Sequence, residues 1–128
     1  LFKETRRALN RPAAADTPLI RECYVAHDAA TARAEGRRHL EAKYHAYQRW
    51  EQDKALPEGE TFGGSFDELA RDRFILGDPA RVRDEIARYR ECLGVTTMIF
   101  RLQWPGTDQA NVLRSIRLLG EQVIPAFA

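Results

Sequence analysis

The spacing of apolar residues along the chain switches between two periods, which predicts strands and helices in alternation. Three short runs rich in β-branched and aromatic residues predict strands: residues 19–26, residues 74–77, and the run that opens at Thr96. After each run, apolar residues recur every three or four positions, the spacing of one helix face. A short amphipathic helix over residues 1–9, stopped before Pro12, precedes the first strand.

Polar residues that favour helix termini mark where these helices begin. The expected N-caps are Asp28, Ser65, Asp78 and either Thr107 or Asp108. Ser65 is followed three residues later by Glu68, the spacing of a capping box. Pro79 fits the first helical position after Asp78, and Gly94 is placed to stop the same helix.

Each long helix carries an apolar stripe that we expect to face the sheet. The expected inner positions are Leu40, Tyr44, Tyr47 and Trp50; then Val82, Ile86, Tyr89 and Leu93; and last Leu113, Ile116 and Val123. The pattern therefore predicts three βα units, with an elaborated loop over about residues 51–73 before the middle strand.

Strands that alternate with helices argue for a parallel sheet, which normally has both faces covered. Three units alone leave open sheet edges, so we expect the fold class α/β and, more specifically, the C-terminal part of a (β/α)8 TIM barrel. Residues 1–128 then form one segment of a single barrel domain. The chain opens on Leu1 instead of methionine, and we expect it to start partway along a longer protein.

Composition narrows the possible partners. The chain has 128 residues, 44% hydrophobic and 30% charged, with 20 basic and 19 acidic residues and a net charge of +1. The chain has no basic block of the kind that predicts nucleic-acid binding, and no apolar run is long enough to span a membrane. Two cysteines that are far apart in the sequence make a reducing cytoplasm the default location. The three histidines and two cysteines match no metal-binding spacing, so we predict no metal.

An arginine lies at the carboxyl end of the last predicted strand. Ile99, Arg101 and Gln103 share one strand face, and the residues between them share the other. If the latter face the helices, Arg101 points into the barrel at the end where barrel enzymes build active sites. A buried arginine needs an anion, which a ligand or a neighbouring acid can supply; exposure at the rim is a further alternative.

The segment 74–106 resembles the C-terminal end of the bacterial-luciferase-like flavin-dependent monooxygenases. The matching features are Gly77-Asp78-Pro79 at the start of a helix with Val82, then Gly94-Val95, and a strand with Arg101 followed by Pro105-Gly106. The segment 19–35 is similar to an earlier strand and acidic helix start of the same family.

This resemblance implies a (β/α)8 barrel that uses reduced FMN, whose peroxide inserts one oxygen atom into a small organic substrate. A sister branch implies the alternative of a deazaflavin-dependent reductase or dehydrogenase. Because much of the flavin site in this family lies in the N-terminal part, a third possibility is a non-catalytic flavin-binding or assembly fragment. The implied partners are a separate flavin reductase and a second copy of the chain in a homo-oligomer.

The resemblance also suggests site residues. One branch of the family has an arginine followed two positions later by a histidine, and here those positions hold Arg21 and Cys23. We predict Arg21 and Arg101 as catalytic residues that stabilise an anion, with Cys23, Gln103 and Trp104 lining the substrate pocket. Cys23 as a small core residue and Trp104 as a turn anchor are the alternatives. No residue is assigned to cofactor binding.

Overall fold

The computed structural model describes residues 2–128 and contains the predicted alternation of strands and helices. The elements are α1 (Phe2–Ala8), β1 (Pro18–Val25), α2 (Ala29–Arg49), α3 (Phe66–Ala70), β2 (Phe74–Gly77), α4 (Pro79–Leu93), β3 (Thr97–Arg101) and α5 (Gln109–Leu118). A π-helical turn, Leu119–Val123, continues α5. The predicted start of α1 at Leu1 lies outside the described residues.

The expected caps are present. Asp28 accepts a hydrogen bond from the Thr31 N–H, and Asp78 accepts one from the Arg81 N–H. Ser65 and Glu68 form the reciprocal bonds of a capping box at α3. Of the two residues expected to cap the last helix, Asp108 does so. Gly94 ends α4 at φ +67°, a left-handed conformation that glycine adopts without strain.

The three strands form a parallel sheet in the order β2-β1-β3, with β1 at the centre. The pairing is staggered: β3 lies beside the amino half of β1, and β2 lies beside its carboxyl half. Consecutive strands of a closed barrel pair in chain order, so an arc of a barrel would place β2 between the other two. The structure shows a parallel α/β fragment, and its strand order departs from that of a barrel arc.

Helices cover both faces of this sheet, an arrangement that resembles doubly wound α/β folds more than a barrel wall. We call the side that carries Tyr24 the front face and the side that carries Cys23 the back face. The front core comprises Tyr24, Ala26, Ala32, Leu40, Phe62, Phe66, Leu69, Phe74 and Trp104. The back core comprises Cys23, Val25, Ile75, Val82, Ile86, Tyr89, Val95, Leu118, Leu119 and Val123. The strict alternation predicted for β1 is therefore present.

The predicted inner stripe of the last helix was wrong for two of its three residues. Leu113 and Ile116 are 52% and 46% exposed, whereas Val123 is buried as expected. The residues of α5 that face the sheet are Val112, Ser115 and Leu118. The stripe is therefore shifted by one residue toward the amino end, from Leu113 to Val112 and from Ile116 to Ser115, and a serine lies in its middle.

Ser115 is buried for a specific reason. In a strand, successive N–H groups point to opposite sides. The Ala26 N–H donates to the Gly77 carbonyl of β2, so the Val25 N–H points away from β2, beyond the end of β3. The Ser115 hydroxyl accepts a hydrogen bond from this N–H at 2.9 Å.

The other stripes hold along most of their lengths. Leu40, Tyr44 and Tyr47 pack in or against the front core, but Trp50 at the end of α2 is 66% exposed. In α4 the last predicted inner residue, Leu93, is 47% exposed. Within residues 2–128, none of the helices has both the length and the apolar surface that crossing a bilayer requires.

Replacing Ser115 by alanine should lower the free energy of unfolding by about 1–3 kcal/mol, because the buried Val25 N–H loses its acceptor. Urea denaturation of both proteins measures this difference. Leu113→Ala, an exposed site two residues earlier, is the control and should change stability by less than about 0.5 kcal/mol. Equal losses of stability in the two variants would show that the Ser115 hydroxyl is not the acceptor for the Val25 N–H.

Candidate functional site

Two connections leave the sheet at the carboxyl ends of β1 and β3, and they run in different directions. The chain passes from β1 into α2 over the front face, and from β3 through a turn at Pro105-Gly106 into α5. In open parallel sheets, the crevice between two such connections, at the carboxyl ends of the strands, is where ligands bind. The side chains on this edge are therefore the first to consider.

A buried carboxylate lies directly beneath this edge. Among residues 2–128, Glu22 is the only charged residue that is buried, with 3% of its surface exposed. The Trp104 indole N–H donates to Glu22 Oε2 at 2.6 Å, and the Lys43 ammonium forms an ion pair with Glu22 Oε1. The Arg101 guanidinium lies 3.7 Å from the same oxygen.

Charge balance explains how this carboxylate can be buried. A buried ion without a partner costs several kcal/mol, and the cost is recovered only if hydrogen bonds satisfy its oxygens. Both Glu22 oxygens have a donor, and the Lys43 side chain is itself only 13% exposed. The cluster of Glu22, Lys43 and Trp104 therefore ties β1 to α2 and to the turn after β3. With its oxygens occupied, Glu22 acts here as a structural group.

A second polar cluster borders the first. The Tyr24 hydroxyl donates to Glu35 Oε2 at 2.8 Å, and Arg114 of α5 forms an ion pair with the same carboxylate. Burial, together with the hydrogen bond to Glu35, raises the pKa of Tyr24 to about 12. This phenol therefore stays protonated at neutral pH and can donate but not act as a base.

Above these two clusters lies an open crevice of about 460 Å³ between α2 and the turn that leads into α5. It is lined by Tyr24, Ala34, Glu35, Arg38, His39, Gly106, Thr107, Asp108 and Asn111. The Thr107 hydroxyl donates to the Trp104 carbonyl at 2.7 Å and fixes the turn. We refer to this feature as the α2–α5 crevice.

The structure places some of the residues that the sequence suggested near this crevice. Arg101 is on the front face, as the alternation predicted, but its side chain is 53% exposed and contacts Glu22. Gln103 is exposed just past the end of β3. Trp104 is 3% exposed and packs beside the Tyr24 ring, with 5.9 Å between ring centroids. Trp104 therefore lies beneath the crevice, beside Tyr24, and does not line it. This position agrees better with the alternative role of a turn anchor.

Arg21 and Cys23 lie on the opposite face of the sheet. Arg21 donates to the Tyr89 hydroxyl at 3.2 Å, and its guanidinium lies 5.0 Å from the Tyr89 ring centroid. It borders a separate groove at the amino end of β2. Arg21 lies opposite Phe100 of β3, whereas Arg101 lies opposite Glu22 of β1. The two guanidinium groups are therefore on opposite faces of the sheet and do not converge on one site.

Cys23 lies in the back core with none of its surface exposed, which matches the core alternative instead of a pocket-lining role. Burial raises the pKa of its thiol to about 12, so almost no thiolate forms near neutral pH.

The polar residues that form this edge were missed at the sequence level. Strand alternation puts Glu22 on the face opposite Arg21 and Cys23, but nothing nearby in the sequence marks Lys43 as its partner. The signal that could have found the crevice is the spacing of Glu35, Arg38 and His39, which places three polar residues on one face of α2.

The fold resembles part of a solved structure, the crystal structure of monooxygenase RslO1 from Streptomyces bottropensis. The TM-score is 0.73 over 99% of this chain, with 22% sequence identity. The chain covers 36% of RslO1 and so spans well under half of that protein's length. No protein-family model and no curated protein matches the sequence.

The described residues differ in how well they suit a metal ion, an anion and a flavin. Within residues 2–128, no set of three His, Cys, Asp or Glu side chains is arranged to hold a metal ion. The α2–α5 crevice offers cationic and amide donors that suit a phosphate-sized anion. A flavin ring suits this lining poorly, because Tyr24 and Ala34 are its only apolar side chains and most of the others are polar or charged.

Lys43→Met should destabilise the chain by about 3–5 kcal/mol, because it leaves the buried Glu22 carboxylate without its main counter-charge. Arg101→Ala should cost at most about 1 kcal/mol, since this pair is longer and half exposed. Chemical denaturation of both variants measures the difference. The double variant Glu22→Gln/Lys43→Met should recover part of the loss, and a double variant less stable than Lys43→Met alone would contradict the ion-pair argument.

Native protein at pH 8 should react with one equivalent of a thiol reagent, at the exposed Cys92, and should take up a second equivalent only after unfolding. The reason is that burial both shields Cys23 and holds its thiol protonated up to about pH 12. Peptide mapping after labelling with and without denaturant identifies the modified cysteine. Rapid native labelling of Cys23 would mean that the back core opens to solvent.

Proposed function

We propose that this chain is part of a monooxygenase. The observation that carries the proposal is the structural likeness to monooxygenase RslO1, with a TM-score of 0.73 over 99% of the chain. The sequence resemblance of residues 74–106 to the end of luciferase-like monooxygenases supports it independently, because that resemblance rests on motif order. The α2–α5 crevice, at the carboxyl edge of the sheet, is the proposed contribution of these residues to the substrate site.

More specifically, we propose a flavin-dependent monooxygenase of the luciferase-like family that acts on a small organic substrate. The barrel of that family is proposed for the complete protein on the sequence resemblance alone, because the order β2-β1-β3 of this segment is not that of a barrel arc. Reduced FMN supplies the oxygen chemistry when it is bound. Because the lining of the α2–α5 crevice suits a flavin ring poorly, the proposal places the flavin against residues outside this segment. A separate flavin reductase, a homo-oligomer and a cytoplasmic location belong to the same proposal.

The test is incorporation of oxygen into product by the complete gene product. Reduced FMN is supplied by a flavin reductase with NADH under ¹⁸O₂, and a panel of small organic compounds is analysed by mass spectrometry. We expect one labelled oxygen atom per product molecule and no product when oxygen is excluded.

A parallel reaction with a reduced deazaflavin in place of FMN provides the control. Oxygen-independent reduction in that reaction, without labelled product from FMN, would replace the proposal by a deazaflavin-dependent reductase. Absence of turnover with both cofactors would favour a non-catalytic binding or assembly role.

A further inference from the structure

The polar groups that line the α2–α5 crevice fall into two sets according to whether they have partners. The acidic groups are occupied: Glu35 pairs with Arg114 and accepts the Tyr24 hydroxyl, and Asp108 accepts the Ala110 N–H at 2.7 Å as the cap of α5. The charge of Glu35 is therefore balanced within the chain, and the Asp108 carboxylate is engaged as a helix cap.

The donors in the same crevice have no such partners. Arg38, His39 and Asn111 line it, and none of these three side chains forms a hydrogen bond or an ion pair with another of residues 2–128. This contrasts with the preceding residue, Arg37, whose Nε donates to Glu41 at 2.9 Å. The uncompensated groups in the crevice are therefore donors, and one of them, Arg38, carries a permanent positive charge.

The backbone brings these donors to one place. Arg38 and His39 follow Glu35 by three and four positions on α2, so all three lie on the face that borders the crevice. On the opposite wall, Gly106 has φ +80°, and a Cβ built there would lie 3.7 Å from the His39 ring. The turn therefore runs close to the imidazole, and Asn111 lies in the first turn of the helix that follows.

We propose that the α2–α5 crevice binds a small molecule through an oxyanion, a carboxylate or a phosphate group. The Arg38 guanidinium presents a planar fork of donors that matches both groups, and the His39 ring and the Asn111 amide supply donors from the two walls. The Arg38 guanidinium, which has no partner in the chain, favours an anion over a neutral ligand. This inference rests on the crevice that the proposed function assigns to the substrate, but it concerns binding alone and is tested without turnover.

Titration of the ¹⁵N-labelled chain followed by amide chemical shifts tests the inference, with sodium phosphate in one arm and sodium succinate in the other. Ionic strength is held constant with sodium chloride, so that screening does not change. We expect saturable shifts confined to residues 34–39 and 106–111 with at least one anion. Saturation by phosphate alone, or by succinate alone, identifies which oxyanion the crevice prefers.

Arg38→Ala should weaken this binding by roughly tenfold or more, because charge-assisted hydrogen bonds are lost. Arg37→Ala removes the same charge one residue away and should leave the affinity unchanged, while thermal melts check that both variants are folded. Absence of saturable shifts with both anions, or an equal loss in the two variants, would overturn the inference. Either result leaves the ¹⁸O experiment unaffected, so the two proposals fail separately.

Discussion

The carboxylate of Glu22 is the constraint on which the arrangement of this chain depends. Glu22 is the one residue of β1 in register with both neighbours, opposite Phe74 of β2 and opposite Arg101 of β3. At this position the pairing of β1 changes from β3, on its amino side, to β2, on its carboxyl side. A buried acid there would be strongly destabilising without Lys43 and Trp104, so the sheet, α2 and the turn after β3 have to assemble together.

The stagger also creates the open edge where we place function. Beyond Glu22, the carboxyl half of β1 has no strand on its β3 side, and the Ser115 hydroxyl satisfies the Val25 N–H instead. The chain that leaves β3 is thereby free to turn away at Gly106 and form one wall of the crevice. On the back face the same strand carries Arg21 and Cys23, which pack against α4 and its neighbours. The back face of β1 thus packs in the core, whereas its front face borders the solvent-accessible crevice.

Local features of the fold could be predicted from the sequence because they depend on residues close together in the chain. The caps at Asp28, Ser65 and Asp78 and the alternation along β1 are of this kind. The strand order was not accessible, because which strand pairs with which is decided by contacts between distant residues. The inner face of α5 was misassigned for a related reason: Ser115 is buried by a hydrogen bond to β1, 90 positions away in sequence. Arg101 and Trp104 lie at and just after the carboxyl end of β3, where the sequence placed them, but the partner of Glu22 and the donors of the crevice were missed.

The protonation chemistry of the buried residues limits what this segment can contribute to a reaction. A general acid or base works best with a pKa near the operating pH. Burial instead raises the pKa of Cys23, Tyr24 and Tyr44 to about 12 in each case, and Glu22 has donors on both oxygens. Cys23, Tyr24 and Tyr44 therefore remain protonated through the neutral range. The role that fits these buried groups is to hold the sheet and the floor of the crevice in place, so ligand binding at the crevice falls to the donors that line it, Arg38, His39 and Asn111.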